Sequence, residues 1–257
     1  MHARRSDVAG GPAPASDAAG EPAPEPHRLP RVTSFRTRRS TLSGGQQETW
    51  DRRWPELGMQ ARDDDARPVV NLDTAAWFGR SAPVVLEIGF GMGEATAEMA
   101  SADPDTGIIA ADVHTPGQGN LLRLAERAGL TNVRVANGDA ILLLREMLPE
   151  RSLAGLRIFF PDPWPKKRHH KRRLVQPEFV ALAASRLAPD AVLHCATDWA
   201  PYAEWMLEVI GASEEFVNTA PDGGFAPRPA NRPVTRFERQ GLAKGHRVRD
   251  LVFRRLP

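Results

Sequence analysis

Val84-Val85-Leu86-Glu87-Ile88-Gly89-Phe90-Gly91-Met92-Gly93 reads as a buried strand running into a glycine loop, with a helical pattern from Glu94 onward. A short apolar run rich in β-branched residues and closed by glycine is a strand signal. A glycine loop opening a helix is a frequent ligand site. A dinucleotide fingerprint is spaced GxGxxG and sets a helix N-terminus against a pyrophosphate. Here the spacing is GxGxG, Glu94 stands in the place of the third glycine, and Glu87 sits in the strand end two residues before the loop. A carboxylate at that point disfavours pyrophosphate and favours a cationic ligand. The plain alternative is a glycine-rich turn that binds nothing.

Outward from this stretch the chain alternates. Strand patterns cover 84–90, 107–114, 133–139, 156–160, 191–197 and 248–254, and helix patterns cover 94–100, 117–128, 141–148, 177–187 and 202–210. Such alternation argues for βα units and a mainly parallel sheet with helices on both faces. The last strand follows a Pro/Gly-rich connection, 221–245, that shows little helix signal, so an antiparallel terminal strand is expected there.

Acids recur where these strands end. Asp112 closes the second strand, 25 residues after Glu87. An acid at that place commonly takes the two hydroxyls of a ribose; the plain alternative is a helix N-cap or a turn residue, since Thr115-Pro116-Gly117 follows. Asp139 ends the third strand, placed to accept from an adenine amine or, equally, to cap the following helix. The Glu87 carboxylate suits a ligand carrying an ammonium group and a sulfonium, and S-adenosylmethionine has both. Gly89, Gly91 and Gly93 are its expected loop.

The fourth strand runs into Pro161-Asp162-Pro163-Trp164-Pro165 and then Lys166-Lys167-Arg168-His169-His170-Lys171-Arg172-Arg173, six Lys or Arg and two His without an acid. In open α/β sheets ligands sit at the carboxyl ends of the strands. Asp162 is placed to accept from a guanine N1–H or N2–H, and Trp164 to pack on the base. The simple alternative is a proline-rich turn. For the cation run it is a solvated face or a nuclear-localisation pattern, but the density favours phosphate contact. Asp198, after the fifth strand, is a second candidate holder of the base or a helix cap. Thr235-Arg236-Phe237-Glu238 stands near Arg228, Arg232 and Arg239.

Composition sets the bounds. At 257 residues and 41% hydrophobic content the chain suits one domain plus a polar tail. The first 30 residues hold seven Ala, six Pro and three Gly, so residues 1–30 are expected to be a disordered tail. Residues 31–49 are expected to be a basic, partly ordered segment, since no acid and five Arg lie between His27 and Gln47. The globular domain is expected from 50 to 257. Net charge is only +2, yet its uneven placement fits an anionic partner. Cys195 is the single cysteine and reads as a small buried residue. It permits neither an internal disulfide nor a cysteine metal cluster, and a cytoplasmic setting is expected. No apolar run approaches the ~18 residues of a membrane span. No metal site and no obligatory protein partner are expected.

With these residues in place, the chain resembles the bacterial tRNA (guanine-N7-)-methyltransferases. The resemblance rests on EIGFGMG at Glu87–Gly93, VHTPGQG at Val113–Gly119, NGDA at Asn137–Ala140, FPDPWPKKRHHKRRL at Phe160–Leu174 and TRFE at Thr235–Glu238. It implies a Rossmann-like class I methyltransferase fold and methyl transfer to N7 of a guanine in the tRNA variable loop. It implies that Glu87, Asp112, Asp139 and Asp162 bind S-adenosylmethionine, with Asp162 also catalytic. Lys166, Asp198 and Thr235, Arg236, Phe237 and Glu238 are implied to bind substrate, and Arg168, His169, His170, Lys171, Arg172 and Arg173 to touch RNA. Asp112 stands where relatives often carry Glu, and Arg236 where they often carry Lys. Two rival readings remain in view. A methyltransferase acting on another RNA or a small molecule leaves the basic segments without a role in the latter case. A non-catalytic RNA-binding module on the same fold leaves the acid–GxGxG loop and Asp162 without one.

Overall fold

The computed structural model describes residues 41–61 and 71–257; the expected tail at 1–30 and most of the basic segment at 31–49 lie outside the described residues. The described chain begins with helix α1 (Gly44–Leu57), strand β1 (Gly58–Ala61) and helix α2 (Thr74–Phe78). Five βα steps follow: β2 (Val84–Ile88), α3 (Glu94–Ala102), β3 (Gly107–Asp112), α4 (Thr115–Ala128), β4 (Val133–Gly138), α5 (Ala140–Leu142), β5 (Leu153–Phe159), α6 (Pro177–Arg186), β6 (Leu187–Thr197) and α7 (Ala200–Gly211). The chain closes with β7 (Phe216–Asn218), α8 (Arg236–Leu242) and β8 (Arg249–Arg255).

The eight strands form one sheet in the order β1-β4-β3-β2-β5-β6-β8-β7. β1 to β6 pair in parallel, and β8 runs antiparallel to both β6 and β7. The expected antiparallel terminal strand is present. Chain order reverses between β2 and β5, and such a switch point opens a crevice at the strand ends. Helices cover both faces. Met99, Leu121 and Leu122 of α3 and α4 pack on one face with Ile108 and Val133; Phe179 and Met206 of α6 and α7 pack on the other with Leu86, Leu156 and Leu193.

Local chemistry explains the element ends. α4 carries Pro116 in its first turn and stops at Gly129, whose φ of 62° is left-handed. α1 starts at a capping box, in which Ser43 and Gln46 satisfy each other's backbone N–H. Trp50 and Trp54 stack on it with centroids 4.1 Å apart, Gln46 donates to Pro116 O at 3.1 Å, and Arg52 pairs with Glu126 at 3.0 Å. Helical structure therefore begins at Gly44, before Trp50, where the globular part was expected to start.

Two further expectations need correction. The helix pattern at 141–148 is a short α5 followed by a π-helical turn, Leu143–Met147. The strand pattern at 191–197 extends back to Leu187. The connection at 221–245, which shows little helix signal, contains the short helix α8.

Candidate active site

Glu87, Asp112, Asp139, Asp162 and Asp198 all lie at or just beyond the carboxyl ends of β2 to β6, along one edge of the sheet. Between them two clefts of about 360 and 410 Å³ adjoin, within the range of ordinary ligand pockets. Gly89, Gly91, Phe159 and Phe160 line both, so the two clefts share this wall. Asp112, Asp139 and Asp162 line the first cleft. Glu87, Thr235, Phe237 and Gln240 line the second.

The glycine loop is held open by backbone geometry. Gly89, Gly91 and Gly93 have φ of 75°, 62° and 79°, which side chains other than glycine adopt only under strain. A Cβ on Gly117 of α4 would lie 1.9 Å from Gly91 O, so this glycine lets the helix start press against the loop. Asp112 fixes the same loop from β3. It accepts from Gly91 N at 3.2 Å and from Val113 and His114 N–H at 2.7 and 2.9 Å. Burial raises its carboxyl above the ordinary range, while these N–H groups draw it down. Gly93 lines neither cleft; it is buried against Leu121 and starts α3. Asp139 caps α5, accepting from Ile141 N at 2.9 Å, and it also lines the first cleft.

Glu87 is 3% exposed, and its Oε2 has no hydrogen-bond partner among the described residues. Burial pushes the carboxyl from 4.5 up to about 7, against the pull of the Arg157 guanidinium. A buried carboxylate oxygen without a donor, on the wall of a cleft, fits a ligand that brings its own cation. The donor set as a whole fits a ligand with an ammonium, a ribose and an adenine.

Asp162 stands on an unusual backbone. Phe160 and Trp164, at φ of 53° and 44°, bracket Pro161-Asp162-Pro163. Left-handed conformations are costly for bulky residues and mark sites where strain serves a purpose. Between Phe160 and Trp164, Asp162 lies beyond the end of β5 on the rim of the first cleft, where it is exposed. Trp164 does not line either cleft. Its ring lies under Arg172, 5.1 Å from the guanidinium, and edge-on to His169 at 5.9 Å, so it anchors the cation run instead of packing on a base.

That run folds as a 3-10 turn, Lys167–Arg172. Lys166, Lys167, Arg168 and Lys171 are exposed; His169, His170 and Arg172 are half-buried. Arg173 departs from the expected RNA contacts. It is 4% exposed, donates to Pro163 O at 2.9 Å and covers the Tyr202 ring at 4.8 Å. It holds the Asp162 loop onto α7.

The implied substrate residues divide. Thr235 caps α8 and lines the second cleft, as does Phe237, which is 55% exposed and 5.3 Å from the Phe160 ring. The side chain of Arg236 lies outside the described residues. Glu238 is not presented to a ligand. It is buried, and both its oxygens accept from Arg232 at 2.6 and 3.1 Å. Arg232 also donates to both oxygens of Asp250 on β8, at 2.6 and 2.9 Å, and His194 meets Asp250 at 2.8 Å. Burial raises Asp250, but hydrogen bonds from His194 and Arg232 bring it below its ordinary value. Asp198 is likewise engaged, with His246 Nδ1 at 2.7 Å. The two ends of α8 are thus pinned, one by Arg232 and one by His246, and the helix becomes a wall of the second cleft. Arg157, His194, Gln240, His246 and Asp250 had no part in the sequence reading, and Arg232 entered it only as a neighbour of the Thr235–Glu238 segment. A cation inside a buried strand, as Arg157 is, was the one signal available.

Cys195 is buried in β6, and burial pushes its thiol up to about 12, as befits a packing residue. Among the described residues no helix is long and apolar enough to cross a membrane, and no group of three His, Cys, Asp or Glu is placed to hold a metal.

The raised carboxyl of Glu87 has a consequence for stability. Its folded value exceeds its unfolded one, so its contribution is fully present below pH 4.5 and is lost as pH rises through about 7. The neutral, isosteric Glu87→Gln removes that loss. Urea melts of the unliganded protein should show Glu87→Gln equal to the parent near pH 4 and more stable at pH 8, by up to about 3 kcal/mol. Equal stabilities at pH 8 would show that Glu87 is not strained by burial.

Comparison with known proteins agrees with this geometry. A family described as putative methyltransferase matches residues 81–251. A tRNA (guanine-N(7)-)-methyltransferase of Streptomyces coelicolor is 68% identical over 226 residues, covering 88% of this chain and 82% of its own. One of Mycobacterium sp. (strain KMS) is 51% identical over 271 residues, covering 100% and 98%. Among solved structures, the 16S rRNA methyltransferase KamB superposes with a TM-score of 0.53 at 16% identity, covering 75% of this chain and 100% of its own, a likeness of fold alone. By sequence, fold and cleft, the chain belongs to the tRNA (guanine-N7-)-methyltransferase family.

Proposed function

We propose that the protein methylates N7 of a guanine in the tRNA variable loop, and that the two adjoining clefts hold the cofactor and the base. The observation that carries this reading is their meeting at Gly89, Gly91, Phe159 and Phe160, beside the rim occupied by Asp162. S-adenosylmethionine supplies the methyl group as a sulfonium electrophile. Glu87 takes the cofactor's ammonium, Asp112 its ribose hydroxyls and Asp139 its adenine amine. The glycine loop lets the backbone approach.

Guanine N7 carries a lone pair and no proton, so the chain needs no strong base. Positive charge leaves sulfur and appears on the purine during transfer. Asp162 faces that charge from the loop fixed by Arg173 and is the group we assign to its stabilisation. Exposed Phe237 offers a flat surface for a base displaced from the tRNA fold, as base-modifying enzymes require. Lys166, Lys167, Arg168 and Lys171 meet phosphates beside the cleft. Asp198 and Glu238 serve substrate binding indirectly, by pinning α8. The segment before Arg31 takes no part in the chemistry.

Asp162→Asn keeps shape and removes charge. In single-turnover assays it should lose ~10²–10³ in rate while cofactor affinity and melting temperature stay near the parent. Turnover at the parental rate would transfer the role to another group.

The exposed cations should act through phosphates. Neutralising Lys167, Arg168 and Lys171 together should flatten the log–log salt dependence of tRNA binding by roughly two to three. Neutralising Arg173 should lower the melting temperature instead. An unchanged slope in the triple variant would make the turn a solvated face.

A further inference from the structure

Glu87 on β2 and Arg157 on β5 are register partners on adjacent parallel strands, so both side chains leave the same face of the sheet. Neither is satisfied by the protein around it. Glu87 Oε2 and Arg157 Nη1 are both buried without a hydrogen-bond partner among the described residues. Buried charges are ordinarily paired, and here two opposite ones stand on neighbouring strands without closing on each other.

The other groups facing them are few. Asp112 faces Glu87 from β3 and opposes its ionisation; Thr96 approaches from α3. Asp103, at the end of α3, and His194 on β6 face Arg157. Arg157 is the cation acting in favour of the Glu87 carboxylate. A guanidinium stays charged across the physiological range even when buried.

We propose that Arg157 is a positioning residue for the cofactor's amino group: its charge favours the ionised form of Glu87, and its stand-off leaves the carboxylate oxygens open to the ammonium. This rests on the reading of Glu87 as the ammonium holder. A salt bridge in direct contact would have filled those oxygens. An apolar neighbour would have left Glu87 protonated at neutral pH, and each binding event would then have to expel the proton. The stand-off cation leaves the oxygens open and loosens the proton that the ammonium has to displace.

The test is the affinity of the full chain for S-adenosylhomocysteine, and for its analogue lacking the α-amino group, from about pH 5.5 to about pH 9. The parent should lose affinity for S-adenosylhomocysteine as pH falls below about 7. Arg157→Gln should move the midpoint of that loss upward by about one pH unit or more, weakening binding on the order of tenfold at neutral pH. At about pH 9, where Glu87 is ionised in either protein, the two should differ by no more than about threefold. Arg157→Lys should restore the parental midpoint. The desamino analogue should show no such midpoint in any variant. Should the glutamine variant fail to fold, Arg157→Met, which keeps the apolar stem, carries the same comparison. An unchanged midpoint, or equal weakening at every pH, would overturn the role of Arg157. Glu87→Gln with parental affinity and pH profile would instead overturn the reading of Glu87 itself.

Discussion

A carboxylate buried at the end of β2 beside the Thr96 hydroxyl, with one oxygen left without a geometric hydrogen-bond partner among the described residues, is the constraint on which the rest of the site depends. Burial of an unpaired acid is tolerated where a ligand completes it. Every neighbouring feature serves that completion. β2 lies at the centre of the sheet, next to the switch point, so its end opens into a crevice between two halves of the fold. The left-handed glycines keep side chains out of the approach. Asp112 anchors them by accepting from Gly91 N–H, and Gly117 allows α4 to press close. Burying this acid lowers stability locally in favour of a site that suits a cation, a common arrangement at functional sites.

On the substrate side the organising interaction is the Arg232 fork. One guanidinium joins Asp250 on β8 to Glu238 on α8, and both carboxylates are buried with it. Breaking such a group by removing one member leaves uncompensated charge and typically costs ~3–5 kcal/mol. Its effect is to place a polar, weakly helical segment, Arg236–Leu242, against the glycine loop. The contact between Phe160 and Phe237 then links the loop that carries Asp162 to the wall that carries Thr235. The first cleft and the second are thereby assembled by two unrelated devices, one backbone and one ionic.

Much of this was legible in the sequence, for identifiable reasons. The central parallel strands and β8 are apolar runs bounded by Pro, Gly or Asp, and they were placed correctly in type. β1 and β7 are too short to carry a pattern, and both sit at sheet edges. α1 is obscured by Gly44, Gly45 and Pro55, and its stability comes from a cap and from packing on α4. α8 is obscured by its charges and Gly241, and it is held by Arg232. In the site, acids at strand ends were recognisable because chain direction puts them on one edge. Whether an acid is free for a ligand was not recognisable. Glu87 has an oxygen without a protein partner, whereas Glu238 and Asp198 are engaged by Arg232 and His246, residues distant from any motif reading of their chemistry. The same holds for Arg173 and Trp164, which sit inside the most specific motif yet serve to hold it in place.

The central claim is that Glu87 waits partly protonated for the cofactor's ammonium. Calorimetric titration with S-adenosylhomocysteine at about pH 6, repeated in buffers of different ionisation enthalpy, measures the protons exchanged on binding. With Glu87 titrating at about 7, close to one proton should be released per cofactor bound, and none by Glu87→Gln. Binding by the parent without proton release would contradict the account.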